Sequence, residues 1–113
     1  MKLRAVIIED EPRSLNLLHS LVEATGNAEV AGKTSDPHQA TELIMKVNPD
    51  ILFLDIHMPE KDGFEILNEL RCLKNIHPYV VFITAYDEFA IRAFEYAAFD
   101  YLLKPVEPGL RFS

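Results

Sequence analysis

The sequence predicts an α/β fold, a doubly wound parallel sheet with helices on both faces. Short apolar runs alternate with segments of helical spacing along the whole chain. Three of the runs are almost continuously apolar, the mark of parallel strands covered on both sides.

The first run, Leu3 to Ile8, is β-branched and closes on Glu9-Asp10-Glu11. After Pro12, Leu15, Leu18, Val22 and Thr25 recur at steps of three and four, and Gly26 is a natural stop, so a first helix is predicted. Ala28 to Ala31 is a second short strand. Asp36-Pro37 reads as an N-cap with a first-turn proline, opening a second helix through Ala40, Leu43, Ile44 and Val47 that Asn48-Pro49 ends. Ile51 to Leu54 is the third strand, and Phe64, Leu67, Leu70 and Leu73-Lys74 trace a third helix. Tyr79 to Ile83 is the fourth strand, Glu88 to Ala97 a fourth helix, and Tyr101 to Leu103 the fifth strand. Right-handed crossovers put five such strands in the flavodoxin-like order 2-1-3-4-5. Only eight residues follow Pro105, with Pro108-Gly109 among them, so a fifth helix is missing or truncated and a longer natural chain is expected. The apolar faces of the first helix and fifth strand are then expected to find cover on a second copy, giving a homodimer.

Size and charge bound the function. At 113 residues the chain is one domain, 1–113, and too short for a multidomain enzyme. Its 49% hydrophobic and 26% charged residues suit an ordinary globule. Eleven Lys+Arg against 18 Asp+Glu leave a net charge of −7, unsuited to direct nucleic-acid binding. One cysteine, Cys72, excludes an internal disulfide; it is expected to be a small packing residue. No leader pattern and no apolar run long enough for a bilayer is visible, so a cytoplasmic location without membrane insertion is expected.

In open α/β sheets ligands bind beyond the carboxyl ends of the strands. Here those ends carry Glu9-Asp10-Glu11, Asp55, Thr84-Ala85 and Lys104-Pro105. Glu9, Asp10 and Asp55 would crowd negative charge, which calls for a cation, and an all-oxygen set suits Mg²⁺. Lys104 supplies a positive charge able to pair with Asp55 or a phosphoryl oxygen. Each residue has a plainer explanation alone: Asp10 could cap the first helix, Lys104 could be a solvated loop lysine, and Thr84 a residue of high β propensity. Four such explanations at four strand ends are together less economical than one shared site.

Ile7-Ile-Glu-Asp-Glu-Pro12, Phe53-Leu-Asp-Ile-His-Met-Pro59 with Asp62-Gly63, Phe82-Ile-Thr-Ala85 and Tyr101-Leu-Leu-Lys-Pro105 resemble the motif set of response-regulator receiver domains. Thr84 to Ala90, Ala93-Phe94 and Phe99 to Pro105 further resemble the receivers of LytTR-type transcription regulators. The resemblance implies that Asp55 accepts a phosphoryl group from a sensor histidine kinase. It implies that Asp10 binds Mg²⁺ with Asp55, that Glu9 acts on the ion directly or through water, and that the backbone carbonyl of His57 completes the ligands. Thr84 and Lys104 would hold phosphoryl oxygens, and Thr84 with Tyr101 would form the switch. Lys104-Pro105 would be a cis peptide, and a DNA-binding output domain would follow the receiver. Such a domain is a phosphoacceptor that catalyses its own phosphorylation and dephosphorylation, not an enzyme with a separate substrate. Glu9 stands where many receivers carry Asp.

Two other classes compete with this reading. A pseudo-receiver, acting as an interaction module without phosphorylation, has no need of Asp10, Asp55, Thr84 and Lys104 together. An aspartyl-nucleophile phosphatase would want a carboxylate two residues after the nucleophile, where this chain has His57.

Overall fold

The computed structural model describes residues 2–85 and 100–104, the backbone alone for 100–103. Its strands are β1 (Leu3–Ile8), β2 (Ala28–Thr34), β3 (Ile51–Asp55), β4 (Tyr79–Thr84) and β5 (Asp100–Leu103). Among the described residues the helices are α1 (Pro12–Ala24), α2 (Ala40–Val47) and α3 (Gly63–Arg71). The strands form one parallel sheet in the order β2-β1-β3-β4-β5, as predicted. The fourth helix, Tyr86, the side chain of Tyr101, the peptide bond to Pro105 and the chain after it lie outside the described residues.

The continuous apolarity of the central strands resolves into two cores of period two. Val6, Ile8, Leu52, Leu54, Val80 and Phe82 face α2 and α3, joined by Ile44, Phe64, Ile66 and Leu67. Ala5, Ile7, Ile51, Phe53, Val81 and Ile83 face the α1 side with Leu15, Leu18 and Val22. The stripe of α1 for which a second copy was expected as cover is thus buried within one chain. Phe64 and Phe82 meet at 5.0 Å between ring centroids with planes tilted by 58°, fixing α3 against β4.

Most element boundaries follow the local signals. Pro12 opens α1, and Gly26 follows it with φ of 76°, a backbone that glycine adopts without strain. Asn48, at φ 48°, ends α2 in the left-handed conformation just before Pro49.

Four expectations need revision. Asp36 accepts a hydrogen bond from His38 N at 2.9 Å, but what it caps is a 3-10 turn, Pro37–Gln39, and α2 starts only at Ala40. The second strand runs on to Thr34 as an alternately buried edge, with a register shift opposite Ala5/Val6 that absorbs one extra residue. The third helix stops at Arg71, not at Leu73-Lys74, and the chain turns with Asn75 at φ 65°. Cys72 falls at that helix end, so it is exposed, its Sγ 3.6 Å from Asn68 O, and packs in no core.

Among the described residues no helix is long and apolar enough to cross a membrane.

Candidate functional site

Register brings the strand ends together. Ile8 lies beside Leu54, so the next residues of the two strands, Glu9 and Asp55, become neighbours. Asp55 pairs with Ile83 and Thr84 with Leu103, so Thr84 and Lys104 each stand one step beyond a paired residue. Backbone bonds tie the rim: Glu9 N to Thr34 O at 3.2 Å, Ile56 N to Ile83 O at 3.0 Å, and Lys104 N to Thr84 O at 2.7 Å.

Glu9, Asp10 and Asp55 each offer a carboxylate oxygen to one cluster in which all lie within 4.8 Å of one another. Glu9 and Thr84 are fully buried and Asp55 is 1% exposed. Charges so placed must be compensated, and Lys104 does part of this. Its Nζ pairs with Glu9 Oε1 and reaches Asp55 Oδ2 at 3.3 Å. The longer arm of Glu9 therefore joins two parts of the rim, engaging Lys104 while it borders Asp55. That contact is not visible in the sequence, which offers Lys104 only Asp55 or a phosphoryl oxygen as partners.

Burial, and then the hydrogen bond and charge of Glu9, push the Asp55 carboxyl up to about 8, with Lys104 opposing. Asp10 is raised for the same two reasons, burial first and Glu9 second. Burial also acts to raise Glu9, but hydrogen bonds from Asp55 and Lys104 outweigh it and hold Glu9 below the usual range. Burial acts to lower Lys104, yet Glu9 and Asp55 raise it, so it stays charged. Near neutral pH, Asp55 accordingly keeps a proton that it shares with Glu9. An all-oxygen cluster in which one acid is forced to stay protonated fits a hard divalent ion, which would replace that proton.

Asp10 has no capping role. The N-cap of α1 is Glu11, without a side-chain capping bond; its carboxylate instead accepts from Ser14 Oγ at 2.9 Å. The segment from β3 to α3 is built differently. His57 N donates to Asp55 Oδ1 at 3.2 Å, Gly63 N to Ile56 O at 2.9 Å, and Asp62 forms a capping box with Glu65. Gly63 is needed for this closure, because a Cβ there would lie 2.7 Å from Asp55 O. The Asp62-x-x-Glu65 spacing could have disclosed the box. Nothing in the sequence signalled the side chains that tie down the 57–62 loop: His38 to Glu60 at 2.9 Å, and Lys61 to Glu69 at 2.6 Å.

Comparison with known proteins agrees with this geometry. Residues 5–110 match the family model for the response regulator receiver domain. The chain is 43% identical over 105 residues to the transcriptional regulatory protein BtsR of Salmonella typhi, covering 93% of this chain and 43% of that protein. It is 43% identical over 105 residues to the sensory transduction protein LytT of Bacillus anthracis, covering 93% of this chain and 42% of that protein. The chain thus spans less than half the length of these curated relatives. Its fold superposes on the signal receiver domain of NarL from Mycobacterium tuberculosis with a TM-score of 0.82 at 31% identity, covering 94% of this chain and 86% of that one.

Proposed function

The chain belongs to the response-regulator receiver family, and from that premise we propose that residues 1–113 form one receiver domain that is phosphorylated on Asp55 by a sensor histidine kinase. The observation that carries this reading is the meeting of buried Asp55 with Glu9, Asp10 and Lys104 at the carboxyl end of the sheet.

One Asp55 carboxylate oxygen attacks the phosphorus of the phosphohistidine. The P–N bond breaks, its electron pair returns to the imidazole, and an acyl phosphate forms on Asp55. Mg²⁺ would be held by Asp10, Asp55 and the His57 carbonyl, with Glu9 beside it directly or through water, and would supply charge neutralisation for the phosphoryl oxygens. Lys104 has to leave Glu9 or Asp55 in part to meet a phosphoryl oxygen, and its ion pairs keep it charged for that task. Thr84 donates its hydroxyl to another oxygen, so the protein contributes positioning and electrostatics. Thr84 with Tyr101 would report the change as a switch. The domain acts as a phosphoacceptor that promotes its own phosphorylation and dephosphorylation.

The output we propose is transcriptional, through a LytTR-type DNA-binding domain in the same protein. It rests on the motif resemblance and on relatives named as a transcriptional regulator and a sensory transduction protein. A net charge of −7 leaves the DNA contacts to that output domain. We place the protein in the cytoplasm, where its kinase partner presents the phosphohistidine.

The test is the intact mass after incubation with a small acyl phosphate and Mg²⁺, beside Asp55→Asn and a chelated control. One added phosphoryl group, lost in both controls, is expected. No addition to the folded protein, or addition that persists in Asp55→Asn, overturns the assignment of Asp55.

A further inference from the structure

The loop from His57 to Asp62 carries the carbonyl proposed as a cation ligand, yet it is held by backbone bonds mainly at its ends. Gly63 N donates to Ile56 O at 2.9 Å, and His57 N donates to Asp55 Oδ1 at 3.2 Å. Between them the chain bends sharply, with Lys61 N 2.7 Å from Pro59 O and Glu60 in the left-handed region at φ 69°. A non-glycine residue keeps such a backbone where its surroundings over-determine it.

Side-chain contacts, most of them to other elements, provide that constraint. Met58 is buried in the core beneath the loop. His38, in the 3-10 turn before α2, meets Glu60 at 2.9 Å. Lys61 Nζ lies 2.6 Å from Glu69 Oε2, and Thr41 Oγ1 donates to Glu69 Oε1 at 2.6 Å. One carboxylate thus uses both oxygens to join the loop, α2 and α3. The Lys61 side chain is only 16% exposed, so this is no solvated surface charge. Hydrogen bonds from Lys61 and then Thr41 hold the Glu69 carboxyl below the usual range, so it is ionised wherever the cation site would operate.

We infer that Glu69 is a positioning residue for the cation site: anchored by Thr41, it fixes Lys61 and thereby the placement of the His57 carbonyl. Neither Lys61 nor Glu69 belongs to the carboxylate cluster, and their action runs through the loop backbone. Mg²⁺ tolerates little departure from octahedral geometry, so a small shift of one ligand carbonyl is felt as lost affinity. This inference rests on the reading of the His57 carbonyl as a ligand.

The experiment is calorimetric titration of the whole protein with Mg²⁺, with melting temperature measured alongside. Glu69→Gln and Lys61→Met are expected to raise the half-saturating Mg²⁺ by about 10-fold, the lower end of the range for outer-shell partners. Thr41→Val should give a smaller rise, and the exchanged pair Lys61→Glu with Glu69→Lys should recover most of the affinity. A clamp that merely stabilised the fold would lower the melting temperature and leave half-saturation in place. Wild-type Mg²⁺ affinity in folded Glu69→Gln and Lys61→Met, or no recovery in the folded exchanged pair, overturns the inference. Asp10→Asn separates the two levels: if wild type binds Mg²⁺ and Asp10→Asn does not, the site stands whatever the clamp variants do. Absence of Mg²⁺ binding by the wild type removes the site and the inference with it.

Discussion

Two passages lead from the sheet into helices, and they treat their acidic residues in opposite ways. Between β3 and α3, Asp62 caps the helix and Glu65 closes the box, so both carboxylates are spent on backbone donors. Between β1 and α1, the N-cap Glu11 makes no capping bond, and the carboxylates of Glu9 and Asp10 gather with that of Asp55. An Asp near a helix start is thus structural in one passage and available for a ligand in the other. A carboxylate with its capping bonds made contributes to stability. Those crowded together without enough cations cost stability and are explained by what they can bind.

The largest effect should come from Gly63→Ala. The new Cβ would stand 2.7 Å from Asp55 O and 3.0 Å from Ile56 Cα, so backbone must move. A loss of about 1–3 kcal/mol is expected in urea unfolding. An unchanged midpoint would mean that the two segments are not so tightly apposed.

Next come the burial and crowding of the acids in the other passage. Because the folded-state pKa of Asp55 is raised from 3.8 to about 8, the folded protein holds a proton that the unfolded chain has released across that interval. Metal-free stability should therefore fall as pH rises from about 4 to about 8, and the slope should flatten above that, when both states are ionised. Asp55→Asn should remove most of the slope and raise stability at pH 8 relative to wild type, because the neutral amide carries no buried charge there. Thermal unfolding in chelator across this range provides the check, and a slope that survives in Asp55→Asn would assign the proton elsewhere.

Asp62→Ala removes a cap and should cost about 1 kcal/mol with no change in the pH slope. Asp10→Ala, the matched substitution in the other passage, should cost less than about 0.5 kcal/mol, because no capping bond is lost and some repulsion is relieved. Equal losses in the two variants would erase the distinction between capping and ligand-ready acids.

Much of this molecule follows from local chemistry that a sequence displays. Strand-sized apolar runs, Pro12 and Gly26 around α1, and Asn48 before Pro49 are signals read within a few residues, and the elements formed where those signals stood. Asp55, Thr84 and Lys104 could be assigned to one end of the sheet because parallel strands with right-handed crossovers leave their carboxyl ends on the same side. Boundaries went astray where two local preferences competed: Asp36 and Pro37 set a 3-10 turn before the helix, and α3 ended before Leu73.

What tertiary structure alone decided is which charged groups meet. Glu9 pairs with Lys104 because Ile8 beside Leu54 and Thr84 beside Leu103 set the stagger of four strands, and no local signal encodes that register. Thr41 and Lys61 share Glu69 because α2 and α3 lie on the same face of the sheet, over residues far apart along the chain. The elements were legible because hydrophobic period and turn chemistry act over short range. The pairings were not, because charge interactions depend on distance and burial, which only the assembled fold defines.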